Sequence, residues 1–295
     1  MTHAPAFEPP LKVYYSPAYA VDTGIETVTK SRALARLVVA GEAGRVDIRK
    51  PAPATEAELR SVHTARYVAE ILEGTTGHLE AGPWSPALRD SVLATNGGMR
   101  AAALAALSHG RSGSFSSGLH HAKSDAGEAF CTVNGLALAA IEALAEVERV
   151  GILDLDAHYG GGTAEILKDD PRVVLSDVST SRFDEWQPTS AGRHHVEAVT
   201  RGNDYLDAAR RALPILRGCD LILYNAGMDI HEKAGGIPGI GLDTVRERER
   251  LVVAWAAEQG IPIAFALAGG YTWGGLTLEE LARLHLETVK AFARP

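Results

Sequence analysis

Residues 150–162, with the sequence VGILDLDAHYGGG, join an apolar strand to a polar, glycine-rich loop. Side chains alternate in direction along an extended chain, so Asp154, Asp156 and His158 are predicted to project together from the strand end. Two carboxylates and an imidazole on one side are costly to bury unless a cation balances them. These residues therefore predict a metal site, although a polar strand end that caps the next helix would give the same pattern.

Short aliphatic runs alternate with longer segments rich in alanine, leucine, glutamate and arginine along the chain. This alternation is typical of βαβ units around a mainly parallel sheet. The predicted strands are 11–15, 149–155, 172–176, 220–225 and 261–267. The predicted helices are 86–108, 132–147, 203–217, 244–259 and 277–293. No long linker and no solenoid-type repeat interrupts the pattern, so we expect one α/β domain over residues 1–295.

Composition limits the class of protein. The 295 residues include 37 acidic and 29 basic side chains, a net charge of −8, which offers no broad cationic surface for nucleic acid or an anionic membrane. The two cysteines, Cys131 and Cys219, are too few for a secreted disulfide framework. No segment approaches the roughly 18 apolar residues that span a bilayer. We therefore expect a soluble protein of the reducing cytoplasm, with no nucleic-acid or membrane partner.

Two further polar segments follow predicted strands. Asp229 comes after the run DLILYN, where it either completes a metal-ligand set with Asp156 and His158 or forms a turn, as lone loop aspartates commonly do. Two aspartates and one histidine, with water in the fourth position, describe a catalytic zinc site better than a structural one, which usually uses cysteine. His120 and His121 follow the run GSFSS. Adjacent histidines can serve as a neutral base and a cation.

The last predicted strand leads into Gly269, Gly270 and Tyr271. Glycines let the backbone approach a ligand closely, and a tyrosine hydroxyl can donate to a developing oxyanion. A turn of this composition is weak evidence by itself. A second histidine pair, His194 and His195, lies beside a polar loop with no glycine-rich approach, and we expect surface or structural roles for it.

The order of these segments indicates a family. HHAKSDAGEAFC, DLDAHYGGGT, NAGMD and AGGY occur in the order found in zinc-dependent histone deacetylases, and the chain resembles that family over nearly its whole length. The resemblance is strongest to the class IV branch and to bacterial histone deacetylase-like amidohydrolases. It implies the three-layer arginase–deacetylase fold, in which a mainly parallel sheet is flanked by helices and the active site lies at the carboxyl ends of the strands.

The resemblance also implies roles for matched residues around one Zn²⁺ per chain. The zinc ligands would be Asp156, His158 and Asp229. His121 would be the general base that takes a proton from the zinc-activated water, with electrostatic help from His120. Tyr271 would polarise the scissile carbonyl.

The outer parts of the site are implied in the same way. Asp154 would lie behind the zinc ligands, near a structural K⁺ site that Ser176 also borders. The substrate channel would be formed by Phe130, Gly118, Gly269 and Gly270.

Some positions depart from the family pattern. Tyr159 stands where many relatives have a second histidine, and Gly161 replaces the asparagine or aspartate that commonly supports the histidine pair. The loop after Asp229 is shorter than usual, and Glu232 does not stand where a polyamine-selective member would place an acidic residue. These departures leave the substrate and the tuning of His121 open.

We therefore expect a zinc-dependent hydrolase that deacylates an N-acyl-lysine side chain or a small acylated amine. A manganese ureohydrolase would share the fold, but Gly160 stands where its Asp-x-His-x-Asp motif would end, and Asp229 begins no Asp-x-Asp. A non-catalytic module that binds acylated ligands and a deacetylase-like esterase are the remaining alternatives. The oligomeric state and the metal bound in vivo do not follow from these residues, since mixed aspartate–histidine sites also accept iron or cobalt.

Overall fold

A computed structural model describes residues 9–189 and 193–294, and strands and helices alternate along this part of the chain. Its strands are β1 Leu11–Tyr14, β2 Val46–Arg49, β3 His78–Leu79, β4 Gly82–Pro83, β5 Arg111–Ser114, β6 Val150–Asp154, β7 Val173–Ser179, β8 His195–Ala198, β9 Leu221–Asn225 and β10 Ile263–Ala266. Its α-helices are α1 Glu26–Val39, α2 Glu56–Arg60, α3 Ala65–Glu73, α4 Pro86–His109, α5 Gly135–Ala143, α6 Gly161–Leu167, α7 Tyr205–Ala212, α8 Leu242–Gln259 and α9 Leu278–Ala293.

Eight strands of the described chain form one sheet, in the order β2-β1-β5-β10-β9-β6-β7-β8. Every neighbouring pair in this sheet is parallel, and β3 and β4 form a separate antiparallel pair. The central strands β6, β7, β9 and β10 are buried along their whole length. A parallel sheet covered on both faces requires such apolar strands. The predicted mainly parallel sheet is confirmed.

Two apolar cores lie on opposite faces of the sheet. Along β10, Ile263 and Phe265 pack in one core, and Ala264 and Ala266 pack in the other. This division follows from the alternating direction of side chains along a strand. The first core takes in α1, α7, α8 and α9, and the second takes in α2 to α6. The molecule therefore has the predicted three layers, with the sheet between two sets of helices.

Helix ends are set by local capping. The Ser85 side chain accepts a hydrogen bond from the amide of Leu88, and Pro86 occupies the first turn, so α4 begins where the sequence predicts. Thr277 and Glu280 form a reciprocal capping box at the start of α9, which also agrees with its prediction. No helix within the described ranges is long and apolar enough to cross a membrane.

Other boundaries differ from the predictions. Asn134 caps α5, so this helix covers only part of the predicted segment 132–147. The predicted helix 203–217 is divided, because Pro214 has no amide hydrogen to continue α7, and residues 213–216 form a 3₁₀ turn. Strand β7 runs three residues beyond the predicted end at 176. The sequence patterns also missed several elements, among them α1, α2, α3 and β2.

The sheet order determines where polar loops meet. Strands β5, β10, β9, β6 and β7 are neighbours in the sheet, although they are far apart in sequence. Because all of them are parallel, the loops after their carboxyl ends lie along one edge. The chemistry-bearing segments identified in the sequence come directly after these strands.

Candidate active site

Asp156, His158 and Asp229 converge where β6 and β9 end. His158 Nδ1 lies 3.2 Å from Asp156 Oδ1 and 3.2 Å from Asp229 Oδ2. One ligand atom from each of the three residues lies within 4.8 Å of the others. Around a tetrahedral zinc ion, ligand atoms lie about 2.0 to 2.2 Å from the metal and about 3.3 Å from one another. The spacing of these three side chains therefore fits a single zinc ion. Asp229 Oδ2 is buried and accepts no well-directed hydrogen bond in the described chain, although His158 Nδ1 lies 3.2 Å away. A buried carboxylate oxygen beside another candidate ligand atom fits a bound cation.

Backbone amides hold these side chains in place. Asp154 pairs with Asn225 in the β6–β9 register, which brings the two ligand-bearing loops together. The amide of Ala157 donates to Asp229 Oδ1 at 3.1 Å, and the amide of His158 donates to Asp156 Oδ1 at 2.9 Å. Both ligand carboxylates are therefore oriented by the chain that follows β6.

The two adjacent histidines lie beside this group and contact different carboxylates. The His120 and His121 rings are 4.0 Å apart between centroids. His120 Nδ1 lies 2.8 Å from Asp154 Oδ2, and His121 Nδ1 lies 2.8 Å from Asp184 Oδ2. The sequence predicts that Asp154 projects with Asp156 and His158 and lies near a potassium site, but it predicts neither the contact of Asp154 with His120 nor a role for Asp184. Asp184 follows β7, so the strand-end rule that located the other residues would have found it had this strand been predicted at its full length.

The surroundings of the two histidines shift their pKa values in opposite directions. Burial lowers the pKa of His120, but the carboxylates of Asp154 and Asp156 outweigh burial and raise it to about 10. Burial lowers the pKa of His121 below its ordinary value, and the adjacent His120 lowers it further. Near neutral pH, His120 is therefore a cation and His121 is a neutral imidazole that can accept a proton.

Aromatic side chains contact these groups from two directions. The Phe130 ring lies 6.3 Å from the Tyr271 ring on one side. On the other side, the Phe183 ring meets His121 and His158 edge-on, at 5.1 and 5.8 Å. Tyr271, Phe130, His121 and the three metal-ligand candidates all line this cavity. Phe183, like Asp184, was missed because it follows the unpredicted end of β7.

The channel residues that the resemblance implied do not all lie on the cavity wall. Phe130 and Gly269 line it. Gly118 is instead buried against Asn225 beneath the histidine pair, and Gly270 is buried against Leu281. A channel role for Gly118 and Gly270 stays a prediction.

Gly269 lies directly against a metal-ligand candidate. A Cβ at this position would lie 2.3 Å from Asp229 Cγ, and the backbone φ of 53° is in the left-handed region that favours glycine. The buried Lys30 Nζ donates to the Gly269 carbonyl and, at 3.1 Å, to Thr27 Oγ1. Burial lowers the pKa of Lys30 to about 7. Lys30 belongs to α1, which the sequence patterns missed, and it supports the loop that carries Tyr271.

Asp154 and Ser176, for which the resemblance implied a place near a potassium ion, lie close together. Both border one small internal cavity. The Ser176 hydroxyl donates to the Ala212 carbonyl at 2.9 Å, and Asp154 Oδ1 accepts from Asn225 Nδ2 at 2.9 Å. These contacts connect the strand ends; a potassium ion at this place remains a prediction.

Residues with a left-handed backbone conformation cluster at this site. In the described chain, the residues other than glycine with positive φ are Leu119, Ala129, Phe130 and Asp184. Three of them line the cavity, and Asp184 contacts His121. Such conformations cost free energy and persist where surrounding contacts enforce them, as is common at functional sites.

The second histidine pair has structural contacts. His194 Nδ1 accepts from the Leu175 amide at 3.1 Å, and its Nε2 lies 2.9 Å from the Lys168 carbonyl. His195 begins β8 and lies 3.2 Å from Glu197. Neither residue lines the cavity that contains the metal-ligand candidates.

The comparisons with known proteins agree on one family. The model of the histone deacetylase domain matches residues 25–289. An uncharacterized protein of Picosynechococcus sp. is 33% identical over 229 residues, which cover 72% of this chain and 75% of that protein. Histone deacetylase 2 of Arabidopsis thaliana is 28% identical over 212 residues, which cover 67% of this chain and 52% of the plant protein.

Solved structures agree in fold. An acetylpolyamine aminohydrolase from Burkholderia pseudomallei superimposes with a TM-score of 0.78 at 19% identity, covering 96% of this chain and 98% of that one. The HD domain of HDA15 superimposes with a TM-score of 0.79 at 19% identity, covering 97% of this chain and 90% of that domain. At this identity the likeness establishes the fold alone.

Proposed function

The chain belongs to the histone deacetylase family, and from that premise we propose that it is a zinc-dependent hydrolase that deacylates an N-acyl-lysine side chain or a small acylated amine. One observation carries the proposal: the Asp156, His158 and Asp229 ligand atoms converge beside a histidine pair and Tyr271 on the same cavity. We propose that this machinery belongs to a single catalytic domain over residues 1–295.

The metal would be held by Asp156, His158 and Asp229. When bound, it supplies Lewis-acid chemistry, polarising the amide carbonyl and lowering the pKa of water to about 7. We propose one Zn²⁺ per chain, because two carboxylates and one histidine with an open position are typical of catalytic zinc. The described residues contain one such group of converging ligands, whereas a binuclear ureohydrolase site would require further carboxylates.

The proton transfers are assigned to the chain's own side chains. His121 Nε2 accepts a proton from the attacking water as the carbon–oxygen bond forms. His121 then delivers this proton to the amine nitrogen as the carbon–nitrogen bond breaks, which releases an amine and a carboxylic acid, and the acid then loses its proton to solvent. His120 does not compete for the proton, because Asp154 and Asp156 keep it protonated.

Tyr271 would donate its hydroxyl hydrogen to the carbonyl oxygen as negative charge develops there. Burial and the nearby carboxylate of Asp229 raise the pKa of Tyr271 above its ordinary value. The hydroxyl therefore remains protonated near neutral pH, as a hydrogen-bond donor must.

The cavity walls support a narrow, apolar substrate segment. Phe130 lines the cavity, and the exposed Phe183 ring packs against His121 and His158 beside it. Aromatic walls favour the aliphatic stem of an acylated lysine or of a small linear amine. Since a solved structure of similar fold is an acetylpolyamine aminohydrolase, an acetylated polyamine is included among the substrates to test.

The test is turnover by zinc-loaded protein of acetyl-lysine peptide, longer acyl-lysine peptides, acetylpolyamine and an ester. Asp156→Ala should abolish turnover with loss of the metal, and Tyr271→Phe should lower kcat by about 100-fold while the metal stays bound. Asp243→Ala, on an exposed position of α8, and Tyr14→Phe, on β1, are matched controls that should retain activity.

Three results would contradict this function. Turnover that survives Asp156→Ala and Tyr271→Phe would exclude the mechanism. Metal analysis that finds two ions per chain would favour a ureohydrolase instead. Hydrolysis of the ester with no amide cleavage would identify an esterase.

A further inference from the structure

Asp184 contacts the proposed base from an unexpected direction. The segment that follows β6 supplies Asp154 to His120, but it has glycine at position 161 and supplies no carboxylate to His121. The acceptor at His121 Nδ1 comes from the loop after β7, where Asp184 Oδ2 lies at 2.8 Å. The Asp184 side chain is 7% exposed, so its carboxylate has been withdrawn from water to make this contact.

Asp184 is held in place by several contacts. Its Oδ2 also accepts from the Gly162 amide at 3.3 Å, and Lys123 Nζ lies 3.8 Å from its Oδ1. Its φ of 59° is in the left-handed region, which aspartate tolerates better than most residues. A buried carboxylate needs such partners to offset the cost of its desolvation.

Gly161 and Asp184 occupy overlapping space. A Cβ on Gly161 would lie 2.2 Å from Asp184 Oδ1, 2.5 Å from its Cγ and 2.4 Å from its backbone carbonyl oxygen. Any side chain at position 161 would therefore collide with the carboxylate. Gly161 also begins α6, where no special backbone conformation demands glycine. The absence of a side chain at position 161 is accounted for by the presence of Asp184.

We propose that Asp184 is the positioning residue of His121 and that Gly161 and Asp184 form a matched pair, in which one position provides the space and the other the carboxylate. This inference rests on the proposed role of His121 as base. By accepting the Nδ1 hydrogen, Asp184 fixes the tautomer that leaves Nε2 free to take a proton from water. Asp184 touches neither the substrate nor the metal-ligand candidates in this role.

The test is a double-mutant cycle of Asp184→Ala and Gly161→Asp in the zinc-loaded full chain. Asp184→Ala should lower kcat on the order of 10- to 100-fold, while KM and zinc content stay within about twofold, since orientation of the base is lost and binding is not. Gly161→Asp alone should lower the melting temperature, because the new side chain collides with Asp184. The double variant removes the side-chain part of this collision but keeps the contact with the carbonyl oxygen of residue 184, so it should recover only part of the lost stability and of kcat, through a carboxylate that reaches His121 from position 161.

A spectroscopic readout separates this inference from the proposed function. The His121 ring nitrogens are followed in ¹H–¹⁵N correlation spectra at pH 8, assigned with a His121→Gln variant. The parent protein and the double variant should hold the Nδ1-protonated tautomer, and Asp184→Ala should show a mixture. Asp169→Ala, an exposed aspartate paired with Lys168, is the control and should change neither signal nor rate.

The outcomes are distinct. An unchanged tautomer in Asp184→Ala or an unchanged kcat in that variant would overturn the inference. If the parent protein turns over none of the substrates, the proposed function fails, and the tautomer measurement still decides whether Asp184 orients His121.

Discussion

At the scale of single residues, His120 and His121 show how neighbours in sequence acquire different chemistry. Both are buried, and burial alone would lower both pKa values. His120 lies between the carboxylates of Asp154 and Asp156, whereas His121 has one carboxylate partner and a cationic neighbour. The difference in charge around each ring, and not its position in the chain, assigns the roles of cation and base.

This difference predicts the pH dependence of turnover. Activity requires neutral His121, so kcat/KM should fall as pH decreases through the pKa of His121, which burial and His120 hold below 6.5. A bound metal cation lowers it further. We expect a full rate at pH 7 and an acidic limb centred below pH 6.5, measured in a pH–rate profile with zinc present throughout. An acidic limb centred above pH 7 would contradict the assignment.

At the scale of elements, helices α8 and α9 pack together on one face of the sheet, and a charged group connects them. Glu287 of α9 is 10% exposed and lies 3.0 Å from Arg246 Nε of α8 and 3.0 Å from Lys290 Nζ of its own helix. Burial raises the pKa of Glu287, but the two cations outweigh burial and hold it below its ordinary value. The ionised carboxylate is therefore favoured in the folded protein.

This ion pair predicts how the free energy of unfolding depends on pH. A carboxylate with a lowered pKa stabilises the fold above the pKa of the unfolded chain, and this contribution is lost as pH falls through the folded-state pKa. Glu287→Gln should lower the free energy of unfolding by about 1 kcal/mol at pH 7. The difference from the parent should vanish in strong acid. Urea unfolding of both proteins at pH 7 and in strong acid measures this difference. Glu258→Gln, at an exposed position of α8, is the control. An equal loss at both pH values would assign the effect to packing.

At the scale of the whole molecule, the site depends on contacts between layers. Arg248 of α8 is fully buried, and its Nη1 donates to the carbonyl oxygens of Leu155 at 3.1 Å and Gly227 at 2.6 Å. These carbonyls lie in the loops after β6 and β9, beside the proposed metal ligands. Lys30 of α1 supports the Tyr271 loop in the same way. Helices packed on one face of the sheet thus hold the loops at its edge.

Metal binding should therefore stabilise the whole fold. A ligand that binds only the folded state adds about 2.7 kcal/mol at a free concentration 100 times its dissociation constant. We expect removal of zinc by a chelator to lower the melting temperature and replacement of zinc to restore it. Asp156→Ala should show no such response, and Asp243→Ala should respond like the parent. A melting temperature independent of zinc in the parent would argue against a site built from these ligands.

The sequence alone determined the parallel sheet and the residues at its strand ends, because both follow from local patterns. Apolar runs predict buried strands, and alternation along an extended chain predicts which polar side chains project together, as at Asp154, Asp156 and His158. The ordered motifs also identified the family, which the comparisons confirm. Only the tertiary structure showed that Asp184 reaches His121 from another loop, that Lys30 supports Gly269, and that Gly118 is covered. Those contacts join segments distant in the chain, and their geometry depends on packing between layers, which has no periodic signature in the sequence.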